Sequence, residues 1–302
     1  MKLLVFANLS SGIADGAIYD FVRSFARAGD EVVLRFADRS SDFDELLSDA
    51  ADFDAVVAAG GDGTVASVCY HLHDTGVPIL PFPAGTANLL TQNIYSPVET
   101  PALAKLLREG HRVDFDMGEL EFPQGKRGFS MMAGCGYDAA IMKDAQANKK
   151  RLGPFAYFHA AFSNPNPQVS QFTLDIDGEV VHTQGVGVLV VNFSKIQGDI
   201  SLALKNRPRD GMLDVIVLAT DTAWNLLPTF LGASIDRSGK PLAESNVLSF
   251  FRGQTIRVQA DPPLQCQYDG EPLNIETPFI ARALPGSVRL IIGDSAYEEF
   301  VD

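Results

Sequence analysis

Gly60-Gly61-Asp62-Gly63-Thr64 is the segment of this chain whose residue types and spacing speak most directly to chemistry. It lies between a short apolar run, Ala55–Ala59, and a helical stretch from about Val65 to His73. Glycines at such a point admit positive φ and let backbone N–H groups come close to an anion. The helix that follows adds its partial positive end, so a phosphate suits the nest. Asp62 fits beside a phosphate only if a cation such as Mg²⁺ sits between them, or if its carboxylate orients a hydroxyl. The plainer reading is a tight strand-to-helix turn with a capping aspartate. A second turn, Pro83-Ala84-Gly85-Thr86-Ala87-Asn88, follows the apolar run Ile79–Phe82. In a parallel sheet both turns leave the carboxyl edge, where ligands bind, and together they outline a nucleotide crevice. Neither ends in Gly-Lys-Ser/Thr, and neither reads GxGxxG.

The remaining reactive residues are less organised. His71, His73, His111, His159 and His182 show no paired metal spacing except His71/His73, which on a helix would point to different faces. Cys69, Cys135 and Cys266 are isolated in sequence, implying neither a disulfide framework nor a zinc cluster. Asp269-Gly270 is a hairpin signal, which by itself leaves Glu271 as a solvated hairpin residue. Lys149-Lys150-Arg151 before Leu152–Phe158 reads either as a solvated charge run beside core aromatics or as a membrane-surface contact. Trp224, Leu226, Leu227 and Phe230 read as the core face of a helix.

The elements that must hold these turns divide the chain in two. Leu3–Ala7 reads as a buried strand. Ile18, Phe21, Val22 and Phe25 then share one helical face, with Gly29 placed to stop the helix. Val32–Phe36 is a second strand, and Ser41 with Asp44 suggests a capped helix through about Ser48. Ala55–Ala59 and Ile79–Phe82 complete a parallel α/β pattern covered on both faces. From about Leu120 strands follow one another: Phe172–Ile176, Val180–His182 across the turn Asp177-Gly178, Gly185–Asn192, Leu213–Leu218, Thr255–Gln259 and Gln265–Tyr268. They predict an antiparallel second domain, while Val288–Ile292 has no home from pattern alone. The chain's 302 residues suit about two domains at ~150 residues each. A net charge of −14 argues against nucleic acid, whose backbone asks for a basic footprint. No apolar run reaches the ~18 residues of a membrane span, and the run after Lys2 is too short for a signal-peptide core. A reducing cytoplasm is the simplest expected setting.

Taken in order, GGDGT (60–64), PAGTAN (83–88), AGCGYDA (133–139), DGMLD (210–214) and YDGEPL (268–273) resemble the diacylglycerol kinase catalytic-domain family, in particular its bacterial soluble lipid kinases. Sphingosine kinases and, more distantly, NAD kinases share the superfamily. The resemblance covers nearly the whole chain. It implies an N-terminal three-layer α/β domain (residues 1–118 with about 288–302) and a C-terminal β-sandwich (119–287), with ATP between them and the last strand returned to the first domain. It further implies an ATP-dependent transfer of the γ-phosphoryl to the hydroxyl of a lipid such as diacylglycerol. By this match Gly60, Gly61, Asp62, Gly63 and Thr64 bind nucleotide phosphates, Thr86 and Asn88 form the second nucleotide turn, and Glu271 is the general base, with Asp62 beside it in catalysis. Arg207 and Met212 (through carbonyls) and Asp210 (through its carboxylate) match a structural Mg²⁺ site, and Asp116 matches an acidic position near the active site. The implied partner is a lipid at a membrane surface, met peripherally; a homodimer is left open. Several positions depart from the family pattern: Leu9 and Ile13 in the first turn, Ala66 and Ser67 after GGDGT, and Leu89 after the second turn. The departures at Ile13, Ala66, Ser67 and Leu89 keep in view a weakly active lipid-binding or regulatory protein on the same scaffold, and GGDGT alone would also suit a soluble-nucleotide (NAD-like) kinase.

Overall fold

The computed structural model describes residues 1–9, 16–38, 41–136, 167–197, 200–201, 207–221, 247–269 and 271–301. Ile13, the basic and aromatic stretch 149–158, His159, the Trp224–Phe230 segment and Gly270 lie outside them. The chain forms two units, one of Met1–Met117, Pro208–Asp210 and Leu284–Asp302, the other of Gly118–Arg207 and Gly211–Ala283.

The first unit is an α/β layer structure. In chain order it contains β1 (Lys2–Asn8), α1 (Ala17–Phe25), β2 (Glu31–Ala37), α2 (Phe43–Leu47), β3 (Ala55–Gly60), α3 (Asp62–His71), β4 (Ile79–Pro83), α4 (Leu89–Asn93) and α5 (Thr100–Glu109). The terminal helix α6 spans Asp294–Phe300. The sheet order is β2-β1-β3-β4, all parallel. Beside β4 runs the far end of β18 (Phe279–Ile292), also parallel, with Leu290 opposite Ile79. Val288–Ile292 therefore has its home in this sheet. Leu3–Ala7 and Ala55–Ala59 are wholly buried, as a strand covered on both faces requires. Against them lie Ile18, Phe21 and Phe25 of α1 and Leu103, Ala104 and Leu107 of α5. Phe21 meets Phe82 edge to face at 5.6 Å.

Three local expectations are corrected. The cap of α2 is Asp42, whose carboxylate accepts from the Asp44 and Glu45 N–H groups, while Ser41 turns back to Asp38. The helix α1 ends at Phe25, ahead of Gly29, which lies in the following turn at φ +88°. Most consequentially, α3 begins at Asp62 rather than Val65, because Gly61 takes the N-cap with extended backbone.

The second unit is built from antiparallel strands. One group pairs β8 (Ser170–Ile176) with β9 (Glu179–Gly185) and with β15 (Thr255–Asp261), which pairs with the first part of β18. The end of β5 (His111–Phe122) pairs with β6 (Gly125–Phe129). The other group has the order β14-β13-β10-β7-β16-β17. These strands are β7 (Met132–Gly136), β10 (Gly187–Val191), β13 (Leu213–Leu218), β14 (Leu248–Gly253), β16 (Gln265–Tyr268) and β17 (Glu271–Glu276), while the short strands β11 (Lys195–Gln197) and β12 (Ile200–Ser201) pair with each other. The expected strand Gly185–Asn192 is broken at Val186, whose N–H donates instead to the Leu218 carbonyl. Phe172, Leu174, Ile256 and Val258 from one sheet share a core with Cys135, Val188, Val190, Val215, Val217 and Cys266 from the other, a β-sandwich. Among the described residues no helix is long and apolar enough to cross a membrane.

The first unit is fastened at one corner by Asp30. Its carboxylate accepts from the Met1 ammonium at 2.8 Å, from the Arg27 N–H at 2.9 Å and from the Arg108 guanidinium. The ammonium first, then Arg108, hold the Asp30 carboxyl far below the usual carboxylate range. A depressed folded-state pKa adds stability above the unfolded value, and that stability fades as the pH falls toward the folded value. Asp30→Asn is therefore expected to unfold earlier in urea than wild type at neutral pH. The gap between the two should narrow below about pH 4, as the wild-type chain loses the same contribution.

Candidate functional site

Register aligns the strand ends of the first unit. Ala7 lies opposite Ala59, and Gly60 opposite Pro83, so β1, β3 and β4 finish nearly flush at their carboxyl ends. The three loops that leave there carry Asn8, the GGDGT segment and the PAGTAN turn. Asn8 joins the first two: its Nδ2 donates to Thr64 Oγ1 at 2.8 Å.

The two glycine turns are in direct backbone contact. A Cβ placed on Gly85 would stand 2.6 Å from the Gly61 Cα and 2.9 Å from Asn88 Oδ1, closer than real Cβ atoms come. One placed on Gly60 would stand 2.5 Å from the Thr64 Cβ. Only hydrogen fits at either position, which is the physical reason for these glycines. Asp62 ties the turns again, its carboxylate accepting from the Leu90 N–H of α4 at 3.2 Å. Asn88 holds the second turn shut. It sits at φ +51°, where its Oδ1 accepts from the Gly85 N–H at 2.7 Å and its Nδ2 donates to the Gly85 carbonyl at 3.0 Å.

These contacts place the predicted nucleotide residues together. Asp62, Gly63 and Thr64 form the first turn of α3, whose leading N–H groups precede the helical ladder and carry its positive end. Thr86 is exposed at the apex of the second turn. The side chains of Thr64 and Asn88, by contrast, are already engaged in holding the loops, so what this edge offers a ligand is chiefly backbone. That is the arrangement an oxygen-rich anion asks for. The departures from the family pattern can also be located. Ala66 is buried inside α3, Ser67 Oγ donates to the Gly63 carbonyl at 2.8 Å, and Leu9 stands 62% exposed in the first turn.

Asp210 belongs to the first unit, while Arg207 and Met212 belong to the second. The short segment carrying Asp210 is pinned to β5. The Asp116 N–H donates to the Pro208 carbonyl at 2.8 Å, and the Arg209 Nε donates to the Asp114 carbonyl at 2.8 Å. Asp116 is buried, with its carboxylate accepting from the Gly286 N–H at 2.7 Å. Asp116 thus fixes the backbone on either side of it. Among the described residues no three His, Cys, Asp or Glu side chains cluster as metal ligands.

In the second unit the turn leading to Glu271 has an anchor that sequence patterning missed. Asp269 is 7% exposed, sits at φ +43°, and its carboxylate faces the start of β7. It accepts from the Ser130 N–H (2.8 Å), the Met131 N–H (2.8 Å), the Met132 N–H (3.0 Å) and the Ser130 hydroxyl (3.2 Å). Its own N–H donates to the Met132 carbonyl at 2.8 Å. Glu271 opens β17 with its backbone opposite Tyr268. An Asp-Gly pair in sequence signals the turn, but nothing local announces that the aspartate is buried against a segment some 140 residues earlier.

Comparison with known proteins agrees with this architecture. Residues 2–120 match the diacylglycerol kinase catalytic domain, and residues 131–292 match the YegS C-terminal NAD kinase beta sandwich-like domain. The chain is 27% identical over 254 residues to an uncharacterized protein of Synechocystis sp., a match covering 80% of this chain and 56% of that protein. The chain thus spans little more than half the length of that relative. It is 26% identical over 290 residues to a Mycobacterium tuberculosis protein named diacylglycerol kinase, covering 90% of each. Its fold is like that of a solved diacylglycerol kinase from Bacillus anthracis str. Sterne, at a TM-score of 0.75 and 20% identity over 97% of this chain and 98% of that one.

Three substitutions probe the site's construction. Gly85→Ala should force the two turns apart and lower the thermal midpoint, whereas Thr86→Ala at the exposed apex should leave it nearly unchanged. Asp269→Asn keeps the size but turns a donor toward backbone N–H groups. With a buried N–H left unsatisfied, denaturant unfolding should show a loss of about 1–3 kcal/mol.

Proposed function

The chain belongs to the diacylglycerol kinase catalytic-domain family that carries the YegS-type C-terminal domain, and from that premise we propose that it moves the γ-phosphoryl of ATP onto the hydroxyl of a lipid such as diacylglycerol. The observation that supports this most is the pair of backbone-packed glycine turns at the carboxyl edge of the parallel sheet. The amides of Gly61, Asp62 and Gly63, at the start of a ten-residue helix, would bind the terminal phosphates, while the Thr64 N–H donates to the Gly61 carbonyl. Thr86 and the backbone of the Asn88-locked turn would bind the rest of the nucleotide.

Phosphoryl transfer asks for positioning and charge neutralisation more than for covalent help. Asp62 serves the first need through its bond to the Leu90 N–H, which fixes one turn against the other. Mg²⁺, when bound, would neutralise charge on the transferring phosphoryl. In this reading Asp62 would help to hold that ion, and Asp210, with the Arg207 and Met212 carbonyls, would hold a second, structural one. Glu271 would accept the proton of the attacking hydroxyl, a role that general-base catalysis values at ~10²–10⁴-fold. The acceptor would be drawn from a membrane surface that the protein meets peripherally.

The test is a labelled-ATP assay in mixed micelles against diacylglycerol, monoacylglycerol, phosphatidylglycerol and a sphingoid base, with NAD as the water-soluble acceptor. A labelled lipid, with NAD unlabelled, is the expected result. Glu271→Gln should lower kcat by about 10²-fold or more while leaving the KM for ATP within a few-fold. Labelling of NAD without detergent or vesicles would replace the lipid reading, and full activity in Glu271→Gln would remove that residue from the role of base.

A further inference from the structure

Cys135 on β7 and Cys266 on β16, far apart in sequence, are register partners in adjacent antiparallel strands. Both are in the sandwich core, 0% and 1% exposed, and neither is in a disulfide. The phase of the ladder is fixed by the Asp269 N–H donating to the Met132 carbonyl, since residues 269 and 132 continue the same register. Hydrogen-bonded pairs then fall at 269/132 and 267/134, so Cys266/Cys135 falls on a non-hydrogen-bonded pair. Such pairs bring Cα atoms to about 4.5 Å, inside the ~4.4–6.8 Å that a disulfide spans. Directly opposed side chains also leave the sheet on the same face.

We propose that Cys135 and Cys266 form a modification site, a thiol pair that a small peroxide converts into an intramolecular disulfide joining β7 to β16. With hydrogen peroxide, one thiolate attacks an oxygen, the O–O bond breaks, and hydroxide departs, taking up the proton the thiol released to become water and leaving a sulfenic acid. The sulfur of the second cysteine then displaces the sulfenic hydroxyl. The S–S bond forms, a second water leaves, and the two electrons given up by the thiols have reduced the peroxide. Burial, with Glu276 second, pushes the Cys266 thiol up to about 12. The thiolate is therefore scarce, and reaction waits on local opening of the strands. The pair should be silent to bulky alkylating reagents in the native protein and open to a small oxidant. β16 leads directly into Asp269, so the bond would fasten the base of the turn that delivers Glu271; the inference itself stands apart from the kinase reading.

The experiment uses the full-length native protein, oxidised with hydrogen peroxide, alkylated under denaturing conditions and digested for mass spectrometry. The expected product is a dithiothreitol-reducible peptide pair joining Cys135 to Cys266, with Cys69 recovered alkylated. The link should persist in Cys69→Ala, vanish in Cys135→Ala and Cys266→Ala, and form faster as the pH is raised. A link through Cys69, sulfinic acid at either cysteine without a link, or unreacted thiols where a urea-unfolded sample oxidises fully would each overturn the proposal. Peptide mapping of the wild-type chain decides the matter even if a variant fails to fold.

Discussion

Close packing between two backbones, Gly61 against Gly85, is the constraint on which the candidate site depends. A Cβ on Gly85 would stand 2.6 Å from the Gly61 Cα, closer than real Cβ atoms come. Everything near the contact reads as a means of keeping it. Asp62 reaches across to α4, Asn88 closes its own turn with two hydrogen bonds, and Asn8 anchors Thr64. Side chains at this edge are used to hold loops, so a ligand there would meet chiefly backbone. A helix N-terminus presented by a rigid turn binds phosphate through fixed dipoles that need no reorganisation.

A similar division of labour appears in the second unit. There the rigid element is a buried carboxylate, Asp269, satisfied by three successive backbone N–H groups and a serine hydroxyl. Buried charge is costly unless fully bonded, and here the bonding is what fixes the turn before Glu271. In both units an acidic residue in a conspicuous motif (Asp62 in GGDGT, Asp269 in DGE) does positional work through backbone amides.

Much of the fold was legible because its strands announce themselves. Leu3–Ala7 and Ala55–Ala59 are apolar runs with no alternation, as strands buried on both faces must be, and Phe172-Leu174-Ile176 alternates as a strand on a sandwich does. Helix starts were less legible. A helix beginning inside Gly-Asp-Gly has weak local propensity, and α3 starts at Asp62 because the packing of Gly61 on Gly85 sets the chain's direction. The same holds for the partners of Asp62 and Asp269: motifs supplied the residues, but contacts across 28 and 137–139 positions are set by tertiary structure. The facing of Cys135 and Cys266 was invisible for that reason too, since register between β7 and β16 is not written in either strand alone.

The central claim, that the paired glycine turns grip a nucleotide's terminal phosphates, is tested most directly by a crystal structure with Mg²⁺ and a non-hydrolysable β,γ-imido analogue of ATP. The account predicts phosphate oxygens within hydrogen-bonding distance of the backbone N–H groups at the start of α3, with the Gly61–Gly85 contact intact. A nucleotide bound with its phosphates away from both turns would contradict it.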